Sequence, residues 1–124
     1  MFRILFLILI VTGSIAFAQT EENIESRETP KAFKVDEFEK ATNGNVKMRM
    51  DTFYVELNNN PAAQGFIINY GNAKEIFKRE KQIRNSITFR RHDDSRITLV
   101  RGGEREAIKT VFWLVPPGAE PPTP

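Results

Sequence analysis

The chain has no cysteine and only one histidine among its 124 residues. The first absence excludes disulfides, thiolate nucleophiles, thiolate metal sites and a lipid carried on a cysteine behind a leader. The second leaves His92 as the one imidazole for base or metal chemistry. It stands in the polar run Arg90-Arg91-His92-Asp93-Asp94-Ser95, where adjacency in a turn does not supply the geometry of nucleophile, base and orienter, and no second histidine is spaced to share a metal. Glycine-rich phosphate loops are missing too, because Gly102-Gly103 precedes a β-type run and not a helix. An excess of one charge is also lacking, with 18 Lys and Arg against 16 Asp and Glu, so the footprint of a nucleic-acid-binding protein is absent. These gaps set the first expectations: not an enzyme, no catalytic residue, no metal, no cofactor and no nucleic-acid partner.

One long apolar run is present, at the start. Met1-Phe2-Arg3 is a positive n-region, Ile4 to Val11 an apolar h-region, and Ala16-Phe17-Ala18 a small-x-small cleavage site. Together they read as a secretory signal peptide over residues 1–18, too short and too interrupted by Thr12, Gly13 and Ser14 for a membrane span. Cleavage would leave 106 residues of the 124 and, with Arg3 gone, 17 basic against 16 acidic side chains. The expected product is periplasmic or secreted, with no stable membrane anchor. One domain of this size can bury a core without crosslinks.

Residues 19–31 are rich in Glu, Arg, Ser, Thr and Pro and nearly devoid of large apolar groups. Ordering them would cost backbone entropy with little burial in return, so they read as a flexible tether. Phe33 and Val35 suggest a short first strand. The Asn43-Gly44-Asn45 cluster marks a turn, and Val46, Met50, Phe53, Tyr54 and Leu57 then share one face of a helix, which Asn58-Asn59-Asn60-Pro61 ends. Gln64 to Gly71 is an apolar run suited to a central strand covered by helices.

Ala73, Ile76, Phe77, Ile83 and Ile87 predict the buried stripe of a second helix reaching Phe89. From Lys74 to Arg101 nine basic residues oppose four acidic ones, so this is the basic side of the molecule. Arg96 to Arg101 and Ile108 to Val115 read as two strands, and the short span between them predicts an antiparallel hairpin. The seven phenylalanines after the leader are expected to make the core. Residues 117–124 read as a proline-rich tail. The whole predicts an α/β class domain over residues 32–116, an α+β sandwich of two helices on a mixed, roughly four-stranded sheet in the order βαβαββ.

Several stretches in that order resemble the OmpA-like, peptidoglycan-associated domain. They are Leu57 to Pro61 closing the first helix, Gly65 to Gly71 as the strand, Arg79-Glu80-Lys81-Gln82-Ile83 within the second helix, and Asp94-Ser95-Arg96-Ile97 opening the next strand. In that family an aspartate after the central strand and an arginine of the second helix grip the diamino acid of the peptidoglycan stem peptide. The resemblance carries the arginine onto Arg79, with Ile83 and Ile87 following at the family's spacing. The aspartate's place falls near Asn72, which has no carboxylate. The resemblance thus implies a non-catalytic envelope module whose partner is peptidoglycan or an envelope protein, with Tyr70, Asn72 and Arg79 as the ligand-binding residues. The other reading is a divergent structural or protein-interaction module that has lost the peptidoglycan site.

Overall fold

The computed structural model describes residues 28–124. The proposed leader, 1–18, and most of the tether lie outside them. In chain order the elements are β1 (Phe33–Phe38), α1 (Asn43–Asn59), β2 (Gln64–Tyr70), α2 (Ala73–Arg90), a single 3-10 turn (Asp94–Arg96), β3 (Ile97–Arg101) and β4 (Lys109–Val115). Two helices thus pack on an open, mixed, four-stranded sheet with the expected βαβαββ order. No helix among the described residues is long and apolar enough to cross a membrane.

Both helices begin on a side-chain cap. Thr42 Oγ1 accepts the Asn45 N–H at 3.2 Å, and Asn72 Oδ1 accepts the Glu75 N–H at 2.9 Å, each filling a donor that the first helical turn leaves free. The predicted stripe of α1 is realised, since Val46, Met50, Phe53, Tyr54 and Leu57 are all buried. That stripe meets Ile67 of β2, Phe112 and Leu114 of β4, and Ile83 and Ile87 of α2 in one core. At its centre the Phe53 ring stacks on Phe112 at 4.8 Å between centroids, and Phe38 meets the edge of Phe112 at 5.4 Å.

The predicted hairpin is not formed. The sheet order is β1-β4-β2-β3, so β2 lies between the two strands that follow α2. β3 runs parallel to β2, with Gly65 opposite Ile97 and Asn69 opposite Arg101. β4 runs antiparallel to both β1 and β2. The reason is the helix: β2, α2 and β3 form a parallel crossover unit that lays α2 over the sheet, and a β3–β4 hairpin would leave β2 without an antiparallel neighbour to complete its ladder.

The phenylalanine expectation also needs correction. Phe38, Phe53 and Phe112 are buried, but Phe33, Phe77 and Phe89 are 45%, 63% and 64% exposed. Phe77 and Phe89 stay outside the core, and Phe89 meets α1 only through the Lys47 ammonium, 4.1 Å from its ring centre. Ala73 is exposed as well, so the buried stripe of α2 is narrower than its apolar residues suggest.

Strand alternation gives the sheet a second face, away from the helices, that carries Phe66, Ile68, Tyr70, Val111 and Trp113. On its β1 side Glu37 stands between Lys34 and Lys109, each 2.9 Å away. Hydrogen bonds from Lys34 and then Lys109 hold its carboxyl down at about 2. A depressed carboxyl stabilises the fold in full above its unfolded value of 4.5 and loses that contribution as pH falls toward the folded value of about 2. Thermal melts between those limits should therefore show Glu37→Gln losing less Tm with acidification than the parent does. Parallel acid limbs for the two proteins would refute this.

Candidate functional site

Three segments distant in sequence enclose a cleft of about 370 Å³ at one end of the helix layer. Glu39, Lys40 and Ala41 of the β1–α1 connection form one wall. Glu75, Lys78, Arg79 and Gln82 from the first turns of α2 form the second, and Glu106, Ala107 and Ile108 before β4 form the third. The volume lies within the range of small-ligand sites.

Arg79 sits at the base of this cleft and is only 3% exposed. Its guanidinium donates through Nε to Gln82 Oε1 at 3.0 Å, through Nη1 to Thr110 Oγ1 at 2.6 Å, and through Nη2 to the Glu39 carbonyl at 2.7 Å. The network extends in both directions. Thr110 donates on to Asn69 Oδ1 at 2.7 Å, and Gln82 donates to Asn43 Oδ1 at 2.8 Å, so β2, β4, α2, α1 and the β1–α1 connection all hold the same group. Phe38 supports it from below, with Arg79 4.8 Å and Arg49 4.4 Å from its ring centre.

Every one of those acceptors is neutral. Among the described residues no carboxylate lies within ion-pair distance of Arg79, whereas Arg49 is matched by Asp36 at 2.7 Å. Burial, and next the charge of Arg49, push the Arg79 guanidinium below its usual range, with Glu75 opposing. Arginine stays protonated even so, and a buried cation without a counter-ion is a costly arrangement. Three of its five N–H groups are used in these bonds.

Glu75 supplies the opposite charge on the same wall, one helical turn before Arg79. Asn72-Ala73-Lys74-Glu75 has the spacing of a capping box. The asparagine half is made, but Oε2 of Glu75 takes no part in it and is buried without a hydrogen-bond partner. The carboxylate rests against Gly71, where an added Cβ would come within 3.4 Å of Oε2 and 3.3 Å of Ile108 Cδ1. Gly71 also has φ of +149°, so both its conformation and its lack of a side chain make room for the carboxylate.

The structure separates the three residues named from the sequence. Arg79 lines the cleft. Asn72 is at the adjoining corner, but its side-chain oxygen is engaged as the cap of α2. Tyr70 points to the other face of the sheet, where its ring lies over Gly102, with the Lys109 ammonium 5.3 Å from its centre. Glu75 was missed because a glutamate three residues after an asparagine cap reads as helix-start chemistry. The signal in the sequence was that same spacing, and only the packing shows where the carboxylate goes.

At the far end of the helix layer His92 stacks on Tyr54, 3.9 Å between ring centres, and its Nε2 lies 3.2 Å from Asp51 Oδ1. Ser95 Oγ donates to Asp93 Oδ1 at 2.7 Å, so histidine and serine each serve a different carboxylate. Burial, with the charges of Asp93 and Asp94, raises the Tyr54 hydroxyl to about 12, and it donates to the Asp93 carbonyl at 2.8 Å. The histidine and the tyrosine thus pin the α2–β3 turn onto α1. Among the described residues no group of three or more acidic or histidine side chains is placed to hold a metal ion.

No protein-family model, curated protein or solved structure matches this chain.

Proposed function

We propose that the protein is an exported, non-catalytic binding module of the cell envelope that holds peptidoglycan through the cleft between the β1–α1 connection, α2 and the start of β4. The observation that carries this reading is the pairing, within one cleft, of a buried guanidinium lacking a counter-ion and a buried carboxylate oxygen lacking any partner. A ligand that brings both a carboxylate and an ammonium group answers both deficits at once, through charge-assisted hydrogen bonds in a desolvated site. The amino-acid ends of a peptidoglycan stem peptide have that chemistry. The resemblance of Gly65 to Gly71 and of Arg79 to Ile83 to OmpA-like domains, and the leader over residues 1–18, support the same compartment and partner. In this reading Glu75 stands in for the carboxylate that Asn72 lacks, while Tyr70, on the other face of the sheet, has no part.

Purified sacculi provide the test. The mature chain, 19–124, should co-sediment with them, and Arg79→Met and Glu75→Gln should each reduce the bound fraction at equal protein by about tenfold or more. Both substitutions keep approximate side-chain size, and circular dichroism checks that each variant is folded. Sacculi that retain nothing, or that retain all three proteins alike, would overturn the assignment and leave an interaction module whose partner is a protein.

A further inference from the structure

The helix layer has an outer face that neither the core nor the cleft uses. α1 and α2 lie side by side on the sheet and run the same way, since Asn43 meets Gln82, Lys47 meets Phe89 and Asp51 meets Arg90 in ascending order along both. Their outward sides therefore form one continuous surface. At about 100° per residue, Met48 and Val55 stand opposite the buried Leu57 of α1, and Lys74, Lys78 and Lys81 stand opposite the buried Ile83 of α2, with Phe77 and Phe89 flanking the lysines on either side.

No aspartate or glutamate occupies an exposed position on either helix, whereas Lys74, Lys78, Lys81, Arg84 and Arg90 all do. The helical carboxylates are engaged or turned away. Asp51 is held by Arg90 and His92, each at 3.2 Å, and Glu80 by Arg84 and Arg101. Glu75 is turned into the cleft, and Glu56 is half-buried on the flank of α1 away from Lys47 and α2. From the neighbouring loops, Glu39 and Glu106 stand on the other walls of the cleft that Lys78 rims, with Glu39 paired to Arg105 at 2.9 Å, and Asp93 and Asp94 follow the end of α2 beyond Phe89 and Arg90. Among the described residues none of the three lysines has an ion-pair partner.

The same face collects apolar side chains. Of the five large ones that the described residues expose, Met48, Val55, Phe77 and Phe89 are here, each more than half exposed. Phe89 is held outside the core by Lys47 and Arg90, whose cationic groups lie 4.1 and 5.4 Å from its ring centre.

We propose that this outer helix face is a peripheral docking surface for the anionic phospholipid head groups of a membrane. Lys74, Lys78 and Lys81 meet the lipid phosphates, while Phe77, Phe89, Met48 and Val55 enter the boundary between head groups and acyl chains, as the apolar side of an interfacial helix does. Two observations select lipid over other anions. The apolar groups stand singly among the cations, Met48 and Val55 about two turns apart and Phe77 and Phe89 about three, and do not form the closed patch that a protein partner covers. A soluble polyanion would answer the lysines and leave four apolar side chains in water. The contact is reversible, because a few side chains bury far less apolar surface than a spanning helix.

Vesicle co-sedimentation of the mature chain, 19–124, provides the test. The chain should partition onto vesicles containing phosphatidylglycerol and bind vesicles of phosphatidylcholine alone at least about tenfold more weakly, and rising salt should weaken the anionic case. That comparison leaves the protein unaltered, so it does not depend on any variant folding. Combining Lys74→Gln, Lys78→Gln and Lys81→Gln should reduce partitioning about tenfold or more. Phe77→Ser with Phe89→Ser should reduce it at least about fivefold at unchanged charge. Circular dichroism checks that both variants are folded. Equal partitioning onto the two vesicle types, or none onto either, would overturn the proposal. So would phenylalanine variants that bind anionic vesicles as the parent does, which would reduce the face to a general site for polyanions such as an acidic protein.

Discussion

Phe53→Ala is expected to remove a large share of the stability of this domain. The ring is fully buried, stacked on Phe112 at 4.8 Å, and packed so closely over β2 that a Cβ on Gly65 would lie 3.0 Å from Phe53 Cε1 and Cζ. Nothing beside it can move into the space. The sheet below is fixed by its ladders, and α1 is held at both ends, by its Thr42 cap and by Arg96. Truncation of a large aromatic in such a setting costs about 3–5 kcal/mol, from lost transfer energy together with the cavity left behind. Small domains hold only about 5–15 kcal/mol in total, so the Tm should fall by about 12 °C or more. Phe77→Ala is the control within the same molecule. At 63% exposure it should shift stability by no more than about 0.5 kcal/mol. Chemical denaturation of both variants decides the matter, and comparable losses would mean that this core is not the one described.

Arg96→Ala should be the costliest change of a charged residue for stability, at about 2–3 kcal/mol. Its Nη2 nitrogen donates to the Leu57 carbonyl at 3.0 Å, the Asn60 carbonyl at 3.1 Å and the Ala63 carbonyl at 2.8 Å. Those are carbonyls of the last turn of α1 and of the loop that carries the chain into β2, where Arg96 adds a charged donor to the turn bonds that Leu57 and Asn60 already accept from Asn60 and Ala63. A charged donor to such acceptors contributes about 1.5–3 kcal/mol, and a cation at the negative end of the helix adds a few tenths more. Alanine would leave the Leu57 and Asn60 carbonyls with only their backbone donors, from Asn60 and Ala63, and would take the charged donor from all three. The result should be a lower denaturation midpoint at unchanged m-value, with faster amide exchange across residues 57–63. Arg96→Lys should recover part of the loss, because an ammonium group keeps the charge but not the reach of the guanidinium. A midpoint shift under 0.5 kcal/mol for alanine would show that solvent serves this helix end equally well.

The site stood in the sequence to different degrees. The resemblance carried an arginine onto Arg79, and the structure shows that side chain buried and bonded to Thr110 and Glu39. Glu75 was hidden by a spacing that has a simpler meaning at a helix start. The cleft itself could not be read from any one stretch, because its walls come from residues 39–41, 75–82 and 106–108.

What the sequence determined by itself was local and periodic. The apolar spacing from Val46 to Leu57 dictated the buried face of α1, the run from Gln64 to Tyr70 became β2 next to the centre of the sheet, and the order of helices and strands followed from where each period stops. Tertiary structure alone decided the pairing. β2 entered between β3 and β4, because α2 must cross over the sheet and a parallel neighbour closes that crossover, and no residue in either strand encodes such a choice by its type. It also decided which phenylalanines were covered, since a helix has more apolar faces than it has neighbours. Arg79 and Glu75 each entered one cleft uncompensated for the same reason: hydrophobic periodicity fixes which face of a helix turns inward, whereas the partners of a buried charge come from whichever distant segments the packing brings there.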